Sequence, residues 1–95
     1  MDVLSGIEYF VQAAETRSFS AAGRNLGVSS SAVGKSVARL EARLGVRLLH
    51  RSTRSITLTA EGVLFLERCR RILSEVEAAE LELSEIHTEP KGKLR

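Results

Sequence analysis

The chain is 95 residues long, 43% apolar and 27% charged, with a net charge of +2. That length holds one small domain with a modest core and leaves no room for a catalytic cleft and its scaffold, so no enzyme is expected. One cysteine, Cys69, excludes an internal disulfide or zinc finger and fits a reducing cytoplasm; no leader pattern opens the chain, and no run approaches the ~20 apolar residues of a membrane span.

The first predicted element runs from Val3 to about Thr16, where Val3, Ile7, Phe10, Val11 and Ala14 recur at helical spacing and Asp2 is available as N-cap. Ser18-Phe19-Ser20 interrupts it. With Ser20 as cap, a short second helix passes through Ala21, Ala22 and Leu26 and stops at Gly27. Gly27-Val28-Ser29 makes a tight turn, with Ser29 capping a third helix over residues 30–44. Its stripe is Val33, Val37, Leu40 and Leu44, and Gly45 stands at the left-handed C′ position. A short helix, a glycine turn and a longer helix form a helix-turn-helix, a shape that also builds cores with no role in DNA binding.

Beyond Gly45, Leu48 and Leu49 lead into a polar centre at 50–55 and then the alternating Ile56-Thr57-Leu58-Thr59, which predicts a β-hairpin wing. Lys35, Arg39, Arg43, Arg47, Arg51 and Arg54 face only Glu41 between residues 28 and 54, a footprint for a polyanion or, on charge alone, a solvated face. Residues 60–89 then invert the balance, three basic against eight acidic, and carry no proline before Pro90.

Those residues predict one long helix capped by Thr59, with Glu61 at the positive end of its dipole and Gly62 where a capping box would place glutamate. Along it Phe65, Cys69, Ile72, Val76, Ala79, Leu83 and Ile86 keep an unbroken 4-3-4-3-4-3 heptad spacing. At about 1.5 Å per residue that seam is roughly 32 Å long, more than a three-helix body covers. Glutamates 75, 77, 80, 82 and 85 on its other faces favour pairing with a second chain over folding back on its own domain. Within the seam Cys69 reads as a small buried side chain.

Ser18-Phe19-Ser20-Ala21-Ala22, Val28-Ser29, Leu40-Glu41, Leu44-Gly45-Val46-Arg47-Leu48-Leu49 and Leu58-Thr59-Ala60-Glu61-Gly62 together resemble the LysR-type transcriptional regulators over nearly the whole chain. The resemblance implies a mainly α fold. A winged helix-turn-helix (1–59), built of three helices and a β-hairpin, is followed by a dimerising linker helix (60–89). Gly92-Lys93-Leu94-Arg95 looks like the opening of an effector-binding domain that would take a small-molecule inducer, so residues 90–95 would start that absent domain. Antiparallel pairing of linker helices would then present two heads to a dyad site on double-stranded DNA, as a homodimer or, at full length, a tetramer. No cofactor or metal is expected in the fragment.

Ser30, Ser31, Gly34, Lys35, Ala38 and Arg39 lie off the apolar stripe of the third helix and are the expected major-groove face. Ser30 and Ser31 stand where the family often has Gln-Pro, and Gly34 where it has Ser or Thr, so direct readout should be thin and lean on Lys35. Gly34 costs about 1 kcal/mol of helix propensity, accounted for by close approach to a base edge or by a tolerated surface glycine. Ser20 and Ser29 are phosphate candidates as well as caps, and Arg51, Thr53 and Arg54 are the wing candidates for backbone or minor groove. The alternative from another class is a helical protein–protein interaction module whose long helix is the working surface.

Overall fold

The computed structural model describes residues 3–52 and 55–88, so Met1, Asp2, Thr53, Arg54 and residues 89–95 lie outside the described chain. In order the elements are α1 (Val3–Thr16), α2 (Phe19–Leu26), α3 (Ser30–Leu44), β1 (Leu49–Arg51), β2 (Ile56–Leu58) and α4 (Ala60–Thr88). Three helices and a two-stranded antiparallel hairpin enclose one core, and α4 runs out of it, drawing the molecule to 54 Å along an axis where the other extents are 24 and 21 Å.

α1 buries Ile7, Phe10, Val11 and Ala13; Val3, expected on that stripe, is exposed, and Ala14 packs at the rim of the core. The helix ends on Arg17, which takes the left-handed conformation (φ 58°) and donates its N–H to the Ala13 carbonyl at 2.9 Å. For a residue with a Cβ that conformation carries about 1–2 kcal/mol of strain.

Ser18, not Ser20, caps α2. Ser18 is extended (φ −156°, ψ 125°) and its Oγ accepts the Ala21 N–H at 3.1 Å, which places Ser20 inside the first turn, exposed. The expectation erred by two residues because either serine leaves an apolar Ala-Ala step ahead of it. Between α2 and α3 the backbones nearly touch: a Cβ at Gly23 would stand 2.5 Å from the Val28 carbonyl oxygen. Gly27 (φ 74°) then turns the chain, and Ser29 caps α3 by accepting the Ala32 N–H at 3.1 Å. Val33, Val37 and Leu40 are buried as the stripe predicts, whereas Leu44, one residue before the left-handed Gly45, is 41% exposed.

β1 and β2 pair Leu49 with Leu58, His50 with Thr57 and Arg51 with Ile56. In that register Leu49 and Ile56 turn to the core while His50 and Thr57 face water, the period of two expected of a hairpin with one buried face. Thr59 joins wing to long helix: its Oγ1 accepts the Gly62 N–H at 2.9 Å, capping α4, and donates to the Arg47 carbonyl at 2.7 Å, while its own N–H reaches the Leu48 carbonyl at 3.0 Å. Gly62 is buried beside this crossing, and a Cβ there would overlap the Leu48 carbonyl oxygen.

The first turns of α4 belong to the head. Phe65 sets its ring 5.6 Å from that of Phe10 at 43°, Leu66 and Cys69 are buried, and Arg70 pairs with Glu15 of α1 at 3.1 Å. Phe65 and Cys69 were expected on a seam facing a second chain; the structure instead covers Cys69 completely with its own chain. Ile72, Val76, Ala79, Leu83 and Ile86 continue the stripe outward, and there Leu83 is 60% and Ile86 66% exposed.

Candidate nucleic-acid interface

Ser30, Ser31, Lys35, Ala38 and Arg39 stand exposed along α3, as the periodicity predicts. Neither Lys35 nor Arg39 forms an ion pair among the described residues, so both charges remain available to an outside anion. Two polar clefts flank this ridge. One, against α1, is lined by Ser5, Tyr9, Ser29, Ser31, Ala32, Lys35, Ser36 and Arg39. The other, toward the wing, brings together Arg17, Ser18, Phe19, Ser20, Ser30, Arg51, Ser52, Ser55 and Ile56. Ser20 thus reaches the candidate surface although it caps nothing.

Gly34 does not lie with the outward group. It is half-buried and turns toward α2, where a Cβ would rest 3.5 Å from the Phe19 ring in ordinary contact, so the helix pair leaves room for a side chain there.

Arg51 leaves the free wing as well. Its guanidinium donates to Glu41 Oε1 at 3.3 Å and stands 5.4 Å from the centre of the Phe19 ring, tying β1 to α3 and α2 at once. Thr53 and Arg54 fall outside the described residues. Ser52 and Ser55 close the visible part of the turn, Ser52 N–H donating to the Ser55 carbonyl at 3.0 Å and Ser55 N–H to Ser52 Oγ at 3.1 Å.

Glu41 organises this region and was missed as a site residue. Its carboxylate is 7% exposed and accepts the backbone N–H groups of Leu48 (2.8 Å) and Leu49 (3.2 Å), besides Arg51 and, at 3.9 Å, the exposed Arg47. The carboxylate satisfies two donors at the strand entrance that no other strand can reach, so the wing hangs from the recognition helix. A signal was present: one acid among six cations between 28 and 54 is the residue to suspect of an internal partner. Tyr9, too, was not predicted at the surface cleft; as part of an amphipathic helix it carries no separate signal. Among the described residues no cluster of His, Cys, Asp or Glu could hold a metal, and no helix is long and apolar enough to cross a membrane.

A winged helix-turn-helix with this order of elements now meets its relatives. Residues 4–63 match the profile of the bacterial regulatory helix-turn-helix proteins of the lysR family. The chain belongs to the LysR family. The transcriptional regulator CrgA of Neisseria meningitidis (serogroup C, strain 8013) is 49% identical over 86 residues, 90% of this chain but 29% of that protein. The transcriptional activator AaeR of Escherichia coli K12 is 41% identical over all 95 residues, 31% of its length, so the chain spans under a third of these LysR-type relatives. Among solved structures, the DNA-binding domain of BenM in complex with benA site 1 DNA superimposes with a TM-score of 0.84 at 29% identity, covering 95% of this chain and all of that one. The DNA-binding domain of CbnR, also solved with DNA, gives 0.79 at 39% identity over 94% of this chain and all of that one.

Proposed function

We propose that this chain is the DNA-reading head of a LysR-type transcription regulator, binding double-stranded DNA sequence-specifically as a homodimer. The observation that carries the reading is the unpaired Lys35–Arg39 ridge of α3, exposed beside a wing fixed to the same helix, in a fold that superimposes on two domains solved with DNA. α3 enters the major groove with Ser30, Ser31, Lys35 and Arg39 toward it. The wing at 50–55 follows the adjacent minor groove or backbone, with Thr53 and Arg54 its candidate contacts. Ser20 and Ser29 offer helix-terminal N–H and hydroxyl groups to phosphates. Readout by serine hydroxyls discriminates bases weakly, so specificity rests largely on duplex shape and on the spacing of two heads.

The uncovered part of α4 supplies the dimer seam: Ile72, Val76, Ala79, Leu83 and Ile86. Residues 74–88 carry five glutamates and no Lys or Arg, whereas 60–73 carry Arg68, Arg70 and Arg71 against Glu61 and Glu67. Parallel helices would lay acid on acid throughout; antiparallel helices bring the acidic C-terminal end of each beside Arg70 and Arg71 of the other. The same arrangement carries the partner's Ile86 toward the groove where Leu44, Val46 and Leu64 are exposed, with Arg68 and Arg71 on its rim. A small-molecule inducer belongs to the effector domain that follows in a protein of this type, and the regulator works in the cytoplasm.

Selection of duplexes from a random pool, followed by footprinting at two salt concentrations, tests the reading. A protected dyad whose affinity falls steeply with salt is expected. Absence of salt-sensitive duplex binding refutes it and leaves the long helix as a protein–protein interaction surface.

A further inference from the structure

The cleft between α1 and α3 holds the one buried side-chain polar atom without a hydrogen-bond partner among the described residues, Ser36 Oγ. Ser36 is 3% exposed and lines a cleft of about 430 Å³. Its walls are two helical rows: Ser5 and Tyr9 one turn apart on α1, and Ser31, Lys35 and Arg39 one turn apart on α3. None of its described lining residues is acidic, and its two cations have no ion-pair partner among the described residues. A buried hydroxyl left unpaired in a native core costs free energy unless something outside the chain pairs it, and the groups converging here, two cations and several hydroxyls, are those that bind an anion.

We infer that this cleft seats a phosphodiester of the DNA backbone, held by Lys35, Arg39 and the Tyr9 hydroxyl with Ser36 beneath. The inference rests on the proposed entry of α3 into the major groove, because only a helix in the groove brings a phosphate strand along its α1 side. It divides the labour of α3. Ser30 and Ser31 face bases, while Lys35 and Arg39 are backbone clamps, and α1 becomes part of the DNA-contacting surface.

The test compares the chain with Tyr9→Phe, Lys35→Gln and Ser36→Ala on two probes, a long random-sequence duplex and a duplex selected from a random pool, across a salt series. Tyr9→Phe should weaken both probes by the same factor, about 10- to 100-fold, since one hydrogen bond to a charged acceptor is lost and no base is read. Lys35→Gln should lower the slope of log affinity against log salt by about one per head and leave the ratio between probes unchanged. Ser36→Ala should bind both probes equally less well while melting no lower than the parent, which separates lost contact from lost fold. Unchanged binding by Tyr9→Phe and Ser36→Ala, or a Lys35→Gln variant whose salt slope is intact but whose ratio between probes collapses, overturns the seat. Variants that lose protection by inorganic phosphate against thermal unfolding yet bind both duplexes normally also overturn it, assigning the cleft to a free anion. A parent chain that binds neither duplex refutes the DNA-binding reading itself.

Discussion

Replacing Glu41 by alanine removes the acceptor for two backbone N–H groups at the entrance to the wing, those of Leu48 and Leu49, both residues only 1% exposed. Each stranded buried donor costs about 1–3 kcal/mol, and truncating the acid leaves Arg51 without its partner, so Glu41→Ala should lose about 3–5 kcal/mol. Glutamine separates the terms. Its amide oxygen can occupy the place of Oε2 and keep both backbone donors, forfeiting only the ion pairs with Arg51 and Arg47, whose side chains are 33% and 68% exposed and therefore screened. Glu41→Gln should thus cost about 1 kcal/mol. Urea unfolding followed by far-ultraviolet circular dichroism, at one protein concentration so that dimerisation does not move the midpoint, reads both values. Against a domain stability of about 5–15 kcal/mol the alanine variant is conspicuous. An alanine cost below about 1.5 kcal/mol, or a glutamine variant as damaged as the alanine one, would refute the view that the carboxylate acts mainly through the backbone of the wing.

The two contrasting glycines give an opposite-sign pair. Gly62→Ala should destabilise by about 2–3 kcal/mol despite a better helix former, because its Cβ meets the Leu48 backbone, whereas Gly34→Ala, resting 3.5 Å from the mobile edge of the Phe19 ring, should stabilise by up to about 1 kcal/mol. The same Gly34→Ala chain should keep its duplex affinity; a loss would restore the base-edge role. Arg17→Gly should relieve the left-handed strain at the end of α1 and raise stability by about 0.5–1 kcal/mol, read as a higher melting temperature. Burial pushes the Cys69 thiol from 9.0 up to about 11. A pKa raised by folding contributes stability below the unfolded value that is lost as pH climbs through the folded one. The parent should therefore lose about 2–3 kcal/mol relative to Cys69→Ala between those two pH values; parallel pH profiles would contradict this. Below pH 9.0 the native thiol should resist alkylating reagents until the chain is unfolded.

Periodicity and punctuation made the architecture legible. Gly27 and Gly45 stop α2 and α3 in left-handed conformations, Ser29 and Thr59 cap the helices assigned to them, and Ile56-Thr57-Leu58 pairs in a register with one buried face. Positions facing outward on α3 were readable for the same reason, since one helix face must be left once the stripe is assigned. What escaped was whatever depends on a second element passing close by. Gly23 and Gly62 look like weak points in a helix until Val28 and Leu48 are seen against them, and the place of Gly34 beside Phe19 is equally invisible in the sequence. Glu41 and Arg51 were counted as surface charges because a count along the chain does not show that they meet each other beneath the wing. Heptad spacing, in turn, does not say whose core each position enters: Phe65 and Cys69 share the stripe of Leu83 and Ile86 but pack on Phe10 and α1.

That division of α4 gives the stripe its mechanical meaning. Were the whole seam to face a partner, the head would hang from the dimer by Thr59 and could swing. With Leu66 and Cys69 buried in the head, Phe65 against Phe10 and Arg70 paired to Glu15, the helix leaves the domain in a fixed direction, and its 29 residues hold that direction over about 43 Å. On the dimeric reading, the orientation of each recognition helix is therefore set by the register of the outer seam, from Ile72 to Ile86, transmitted without a hinge. A shift of one heptad in that pairing changes the separation of two heads by about 10 Å, a large fraction of a duplex repeat of about 34 Å. On that reading α3 offers mainly serines to the bases, and this rigidity supplies the selectivity that direct readout lacks, because only half-sites at the matching distance and phase can engage both ridges at once.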